Sequence, residues 1–330
     1  MSEHRKIPGG ASVGGRIDTH HHIYPPKYLT EAADHIRQVT HRHFPHIQQW
    51  APGKALEMMD QYEISTSIVS ISAPGIWFGD IAATRRMARE CNDYAATLAR
   101  DHKGRFGVFA ALPLPDVDSS LKEIEYVFDV LKVDGVGLVT NYGDKWPGDP
   151  AFAPVFDELN RRKAVVYFHP TASPVFEGLI PNIPSPMIEF PSDTTRAIVS
   201  LLFGGTLSRC ANAKYIFSHG GGTLPMLAGR INGIARNRQD LAERVPNGVI
   251  YEIRKLYYDL AGVTDPIAFN ATRQLVGVSQ LLFGTDYPFW SLDLILSSLN
   301  QMAPDATERR SIERNNVLSL LPGLKTAVAA

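Results

Sequence analysis

The chain has 330 residues, 44% hydrophobic and 20% charged, the composition of a globular protein with a large buried core. A formal net charge of −1 and a pI near 6.8 argue against a basic nucleic-acid-binding face or a polybasic membrane anchor. No apolar run reaches the roughly 20 residues that cross a bilayer. The stretch MSEHRKIPGGASVGG lacks the apolar segment of a signal peptide, and Cys91 and Cys210 are too few and too distant for a disulfide framework. These features predict a cytoplasmic protein.

In chain order, residues 1–15 read as a flexible, Gly-rich segment and 16–325 as a single domain. The first β-type run is Gly15–His22. Tyr24–Lys54 follows, too long for a simple connection. Thr66–Ser72 is the second run, and Ile81–His102 carries apolar residues at helical spacing. Next come the run Arg105–Leu112, a helix over Val117–Leu131 capped by Asp116, the run Gly135–Thr140, a helix over Ala151–Arg162 and the run Ala164–His169. Pro170–Pro191 is a second long, proline-rich segment. Both long segments read as a rim or lid over a site, or equally as packed oligomer contacts. Asp193–Cys210 reads as a helix with Asp193 at its cap. The run Lys214–His219, a helix over Leu224–Leu241, the run Lys255–Leu260, a helix over Asp265–Val276 capped by Thr264 and the run Gln280–Thr285 complete the pattern. The tail Thr326–Ala330 is expected to be disordered.

The β-type runs are rich in Val, Ile, Phe and Tyr and often continuously apolar, as for strands covered on both faces. Eight strand–helix alternations predict an α/β fold, a (β/α)8 TIM barrel with long loop insertions after strands 1 and 5, ahead of a doubly wound open sheet. The barrel is favoured because polar residues recur at the C-terminal ends of strands 1, 5, 6 and 8, which converge only in a barrel.

Those residues are His20 and His22 in RIDTHHH, His169 in AVVYFHP, His219 in KYIFSHGGG and Asp286 in LLFGTDYP. His20 and His22 are two apart on a strand and share a face, whereas His21 points to the opposite side. Imidazoles and a carboxylate suit a divalent cation, with Zn2+ ahead of Mn2+ or Fe2+. Five candidates exceed the usual three or four protein ligands of a catalytic zinc, so one is expected to carry protons. His219 is the choice, because Gly220, Gly221 and Gly222 leave room beside its ring. Asp286 can bind the metal, move a proton, or both.

The chain resembles the amidohydrolase superfamily, in particular the branch of metal-dependent decarboxylases that includes aminocarboxymuconate-semialdehyde and 6-methylsalicylate decarboxylases. The likeness rests on DTHHH at Asp18–His22, FHP at Phe168–Pro170, DTTRA at Asp193–Ala197, SHGGGTLPMLAGR at Ser218–Arg230 and FGTDYPF at Phe283–Phe289. It implies that His20, His22, His169 and Asp286 hold the metal, that His219 is the catalytic base or acid, and that Arg230 reaches a substrate carboxylate, in some relatives across a dimer interface. It also implies a homodimer or larger homo-oligomer. In the loop after strand 1 the muconate-type enzymes carry a substrate-binding arginine. This chain has Arg37 and Arg42 there without a clear counterpart, so the reading leans to a salicylate-type acid. Trp77, Phe78, Tyr142, Trp146, Phe176, Tyr287, Phe289 and Trp290 follow strand ends and suit a planar ring, with Trp77, Phe289 and Trp290 the substrate-facing candidates alongside Arg230. The expected activity is non-oxidative decarboxylation of an aromatic or conjugated acid. The alternatives are a metal-dependent hydrolase of a lactone, ester or amide and, behind both, a non-catalytic binding protein. Neither nucleic acid nor membrane is an expected partner.

Overall fold

The computed structural model describes residues 15–40, 44–176 and 178–324. Residues 1–14, Arg42 and the tail Thr326–Ala330 therefore lie outside the described residues.

Eight parallel strands run in sequence order: β1 Arg16–His22, β2 Ile64–Ser70, β3 Phe106–Ala111, β4 Gly135–Val139, β5 Val165–His169, β6 Lys214–Phe217, β7 Tyr257–Asp259 and β8 Leu281–Leu282. Every residue of β3 and β5 is buried, as expected for continuously apolar strands enclosed by helices. The seam between β8 and β1 is closed by backbone hydrogen bonds from Thr19 N to Phe283 O (3.0 Å), Asp286 N to His20 O (2.7 Å) and His22 N to Tyr287 O (3.1 Å). The architecture is the (β/α)8 barrel the alternation predicts.

Inside the lower half of the barrel, Ile17, Ile68, Phe109, Val165, Ile216 and Leu282 form an apolar floor, sealed from below by Val317, Leu321 and Leu324. Those last three belong to a C-terminal stretch that adds the helices Leu292–Met302, Ala306–Arg310 and Asn316–Leu320.

Several expected boundaries move. The segment after β1 folds into the short helices Pro26–Glu31, Ala33–Thr40 and Phe44–Gln48 and the helix Pro52–Gln61, pinned by buried Tyr24, Tyr28, Ile36, Ile47 and Trp50. In the segment after β5 a helix begins at Ser185. The helix Ser185–Phe203 runs straight through Pro191, whose carbonyl accepts from the Thr195 hydroxyl at 3.0 Å. Asp193 is thus not a cap but an interior residue. Its buried carboxylate accepts from Asn141 Nδ2 (2.7 Å) and Trp146 Nε1 (2.8 Å), fastening the loop after β4 to this helix. Asp116 does cap its helix, accepting from Ser119 N. At Pro266–Val276 the cap is Asp265, which accepts from Ile267 N and Ala268 N, rather than Thr264. Aspartate is the better acceptor there because its short carboxylate reaches two of the unpaired first-turn N–H groups at once.

Candidate active site

β1 delivers the first two donors. With side chains alternating across the strand, His20 and His22 both enter the barrel mouth, and their Nε2 atoms lie 3.1 Å apart. His21 turns away, as expected. Its Nδ1 sits 3.2 Å from Asp18 Oδ2, and its ring stacks on Tyr287. His169, the last residue of β5, meets His22 at 4.6 Å and His20 at 5.2 Å between ring centroids. Its Nδ1 lies 2.8 Å from the Pro170 carbonyl; a proton donated there leaves Nε2 as the free donor atom. Asp286 Oδ1 lies 2.9 Å from His22 Nε2 and 3.2 Å from His20 Nε2.

His219 and Asp286 are not strand residues, although the apolar runs extend to them. β6 stops at Phe217 and β8 at Leu282. Both residues adopt the left-handed backbone conformation, with φ of 53° and 52°. Non-glycine residues rarely hold this conformation, and such strain concentrates at functional sites. The glycines that follow His219 make its turn possible. A Cβ on Gly222 would fall 2.1 Å from the Pro191 carbonyl oxygen. Beside this turn, His219 Nδ1 lies 2.8 Å from the Ala261 carbonyl, and its Nε2 faces Asp286 Oδ2 at 3.8 Å. His219 is also the least buried of the set, its side chain 21% exposed, at the boundary between cluster and cavity.

Electrostatics favour a positive charge at the centre. Burial lowers the pKa of His22 and lowers that of His169 well below the usual imidazole value, so both rings are neutral donors. Burial also opposes ionisation of Asp286, but His20 and its neighbours prevail and hold the carboxyl well below the usual range. At His20 burial works against the cationic form, yet Asp259 and Asp286 outweigh it and raise the imidazole to about 10. Two carboxylates converging on one ring demand a cation there, whether a proton or a metal. One ligand atom from each of His20, His22, His169 and Asp286 lies within 4.8 Å of all the others. Three imidazoles with an ionised carboxylate at this spacing fit a divalent ion, which would stand in for the proton on His20.

Above the cluster opens a cavity of about 450 Å³, walled by Val39, Pro186, Phe190, Val263, Phe289 and Trp290, with His169, His219 and Asp286 at its base. Of the aromatic candidates, Phe289 and Trp290 line this cavity. Trp77 packs against the core and Arg230 is exposed on the helix Leu224–Arg236; neither lines the cavity.

Two buried residues had no role assigned from sequence. Asp18 accepts from His20 N (3.0 Å), Thr285 N (3.0 Å) and Thr285 Oγ1 (2.7 Å), welding the HxH strand to the Asp286 turn. Asp259 lies 3.0 Å from His20 Nδ1. The signal was present: Asp18 opens the DTHHH motif, and Asp259 ends the seventh strand just as His169 ends the fifth.

This chain belongs to the amidohydrolase family, whose profile matches residues 17–322, and within it to the branch of metal-dependent decarboxylases, as a carboxy-lyase. It is 35% identical to the decarboxylase yanB of Aspergillus niger, over 93% of this chain and 87% of that one. It is 34% identical to a 6-methylsalicylic acid decarboxylase of Penicillium expansum, over 94% of this chain and 97% of that one. The fold also matches the crystal structure of a 5-carboxyvanillate decarboxylase of Novosphingobium aromaticivorans with bound manganese. There the TM-score is 0.86 at 18% identity, covering 95% of this chain and 99% of that one.

Proposed function

We propose that the enzyme removes CO2 from an aromatic acid of the salicylate type, with His20, His22, His169 and Asp286 holding one divalent cation and His219 with Asp286 moving the proton. The observation that carries this reading is the polarity of the cavity. Among the described residues that line it there is no arginine or lysine, and the titratable ones, His169, His219 and Asp286, are all at the metal cluster. A substrate carboxylate is therefore met at the cluster, and the rest of the molecule rests against apolar walls. A ring hydroxyl beside the carboxylate suits this arrangement; a second carboxylate on the far side of the ring does not. The decarboxylases among the relatives support the same class.

The bound cation would draw negative charge from the carboxylate and its neighbouring oxygen. The donor set supports Zn2+ ahead of Mn2+. With Nδ1 tied to the Ala261 carbonyl, the His219 proton exchanges at Nε2, the atom that faces Asp286. From this pair a proton passes to the ring carbon that bears the carboxylate, interrupting conjugation. The C–C bond then breaks, its electron pair restores the ring, and CO2 departs. Phe190, Val263, Phe289 and Trp290 clamp the ring and keep water from the carbon.

Assembly as a homo-oligomer belongs to the same proposal. Met187, Ile188, Met226, Leu227 and Ile234 expose an apolar surface on the helices Ser185–Phe203 and Leu224–Arg236, and Arg230 stands on the second of these. The two unpaired, buried cysteines support a cytoplasmic location. No described helix is long and apolar enough to cross a membrane.

The test is a screen of Zn2+- and Mn2+-loaded protein against salicylate, alkyl-substituted salicylates, dihydroxybenzoates and ring dicarboxylates, following CO2 release and loss of ring-carboxylate absorbance. Alkyl salicylates should be turned over best. Best turnover of a dicarboxylate would overturn the cavity argument. Acid release from a lactone without CO2 would assign hydrolysis instead.

A further inference from the structure

We propose that Asp259 is a positioning residue through which one carboxylate sets both the metal-ligating histidine His20 and the proton-carrying histidine His219. The inference rests on the proposed metal site but not on the identity of the acid.

Asp259 closes β7 and is fully buried. Its two oxygens do different work. Oδ2 lies 3.0 Å from His20 Nδ1 as an ion pair, and the Tyr167 side chain reaches the same carboxylate. Both the carboxylate oxygen and the ring nitrogen are shut off from water. A proton on Nδ1 is the form this pairing favours, and it leaves Nε2 free on the side where His22 and Asp286 converge. Oδ1 accepts from the backbone N–H of His219 at 3.2 Å and of Ala261 at 3.0 Å. Ala261 in turn presents the carbonyl that holds His219 Nδ1 at 2.8 Å. Both anchor points of His219, its own N–H and the carbonyl that fixes its tautomer, are therefore referenced to Asp259. This matters because His219 stands at φ 53°, a conformation that costs free energy unless its surroundings impose it.

The packing reserves space for this arrangement. A Cβ on Gly284 would fall 2.8 Å from His20 Cβ and 3.2 Å from Asp259 Cβ. Glycine in the FGTD turn lets β1, β7 and β8 close around the pair. Tyr167 meets His20 edge-on at 5.5 Å, limiting ring rotation.

Asp259→Asn separates the two functions. The amide keeps an oxygen for the His219 and Ala261 N–H groups. It places a donor where Oδ2 stood, which drives the His20 proton to Nε2 and blocks that atom as a ligand. Calorimetric titration of the apo protein with Zn2+ alone, and separately with Mn2+ alone, should show affinity about 10- to 100-fold below the parent in variant protein that remains folded by circular dichroism. Affinity within twofold of the parent would overturn the proposal. Should the variant fail to fold, the parent decides. In the Zn2+-loaded parent, 15N-resolved spectra should show a His20 Nδ1–H proton protected from exchange with solvent, and its absence overturns the proposal. At metal concentrations that saturate Asp259→Asn, the pH profile of kcat should keep the parent's shape, because Oδ1 still holds His219. A shifted profile would show that His20 and His219 are not set by separate oxygens.

Discussion

The floor and the mouth of the barrel are equally dry but solve burial in opposite ways. In the floor, Ile17, Ile68, Phe109, Ile216 and Leu282 need only fill space. Above them, His20, His22, Asp259 and Asp18 are as fully buried, with Asp286 close behind, yet each must find a partner. Tyr167 is the boundary: one face stacks on Phe109 at 5.4 Å, and His20 meets the ring edge-on. The dryness that gives the floor its cohesion also keeps His22 and His169 neutral, while the Nε2 atoms of His20 and His22 crowd against Asp286 Oδ1, where a cation is favoured. Stability and chemistry therefore occupy adjacent layers of one interior, and substitutions in the two should produce opposite signatures.

The largest effect is expected in the mouth. Asp286→Asn keeps the shape and tolerates the left-handed backbone, but removes the charge shared by His20 and His22. Metal binding and turnover should fall by more than the roughly 10–100-fold that losing a group behind the ligands costs. Metal content by mass spectrometry and initial rates check this, and full metal occupancy would remove Asp286 from the ligand set. In the floor, Phe109→Ala should cost about 3–5 kcal/mol of stability, seen as a lower denaturation midpoint, while the folded variant binds Zn2+ like the parent. If affinity falls too, Tyr167 transmits floor packing to His20, and the two layers are not independent.

The same contrast explains what the sequence made legible. The floor and the strand count were visible because continuous apolar runs are a one-dimensional signal. His20, His22 and His169 were visible because a strand end is a fixed place in a barrel. Asp286 and His219 were found for a slightly wrong reason, since each lies beyond its strand in a turn that glycine makes possible. Asp18 and Asp259 were missed as participants because a buried aspartate beside a strand end reads the same whether it binds a metal, orients a ligand or caps a turn; only the distances to His20 decide. Asp193 shows the reverse error. It looked like a helix cap because Pro191 suggested a boundary, whereas its partners Asn141 and Trp146 lie some fifty residues away. Long-range polar pairing carries no periodicity, so pattern reading cannot reach it.

A third environment sharpens the comparison with the smallest effect. On the barrel exterior, Glu158 accepts from Arg161 (2.7 Å) and Arg162 (2.6 Å), and Arg162 also reaches Asp129 at 2.8 Å. The hydrogen bonds from Arg161, and then Arg162, outweigh the partial burial that opposes them and lower Glu158 from 4.5 to about 2. Because the folded value lies below the unfolded one, the stabilisation is complete above pH 4.5 and fades as the pH falls toward 2. Solvent screens this cluster, so the effect should be no more than about 1 kcal/mol. Glu158→Gln should thus melt slightly below the parent at pH 7, and the gap should close across that acid window when both are measured metal-free. A gap that stays constant with pH would mean that Glu158 contributes by contact alone. Charge pairing at this exposed cluster would then add nothing to stability.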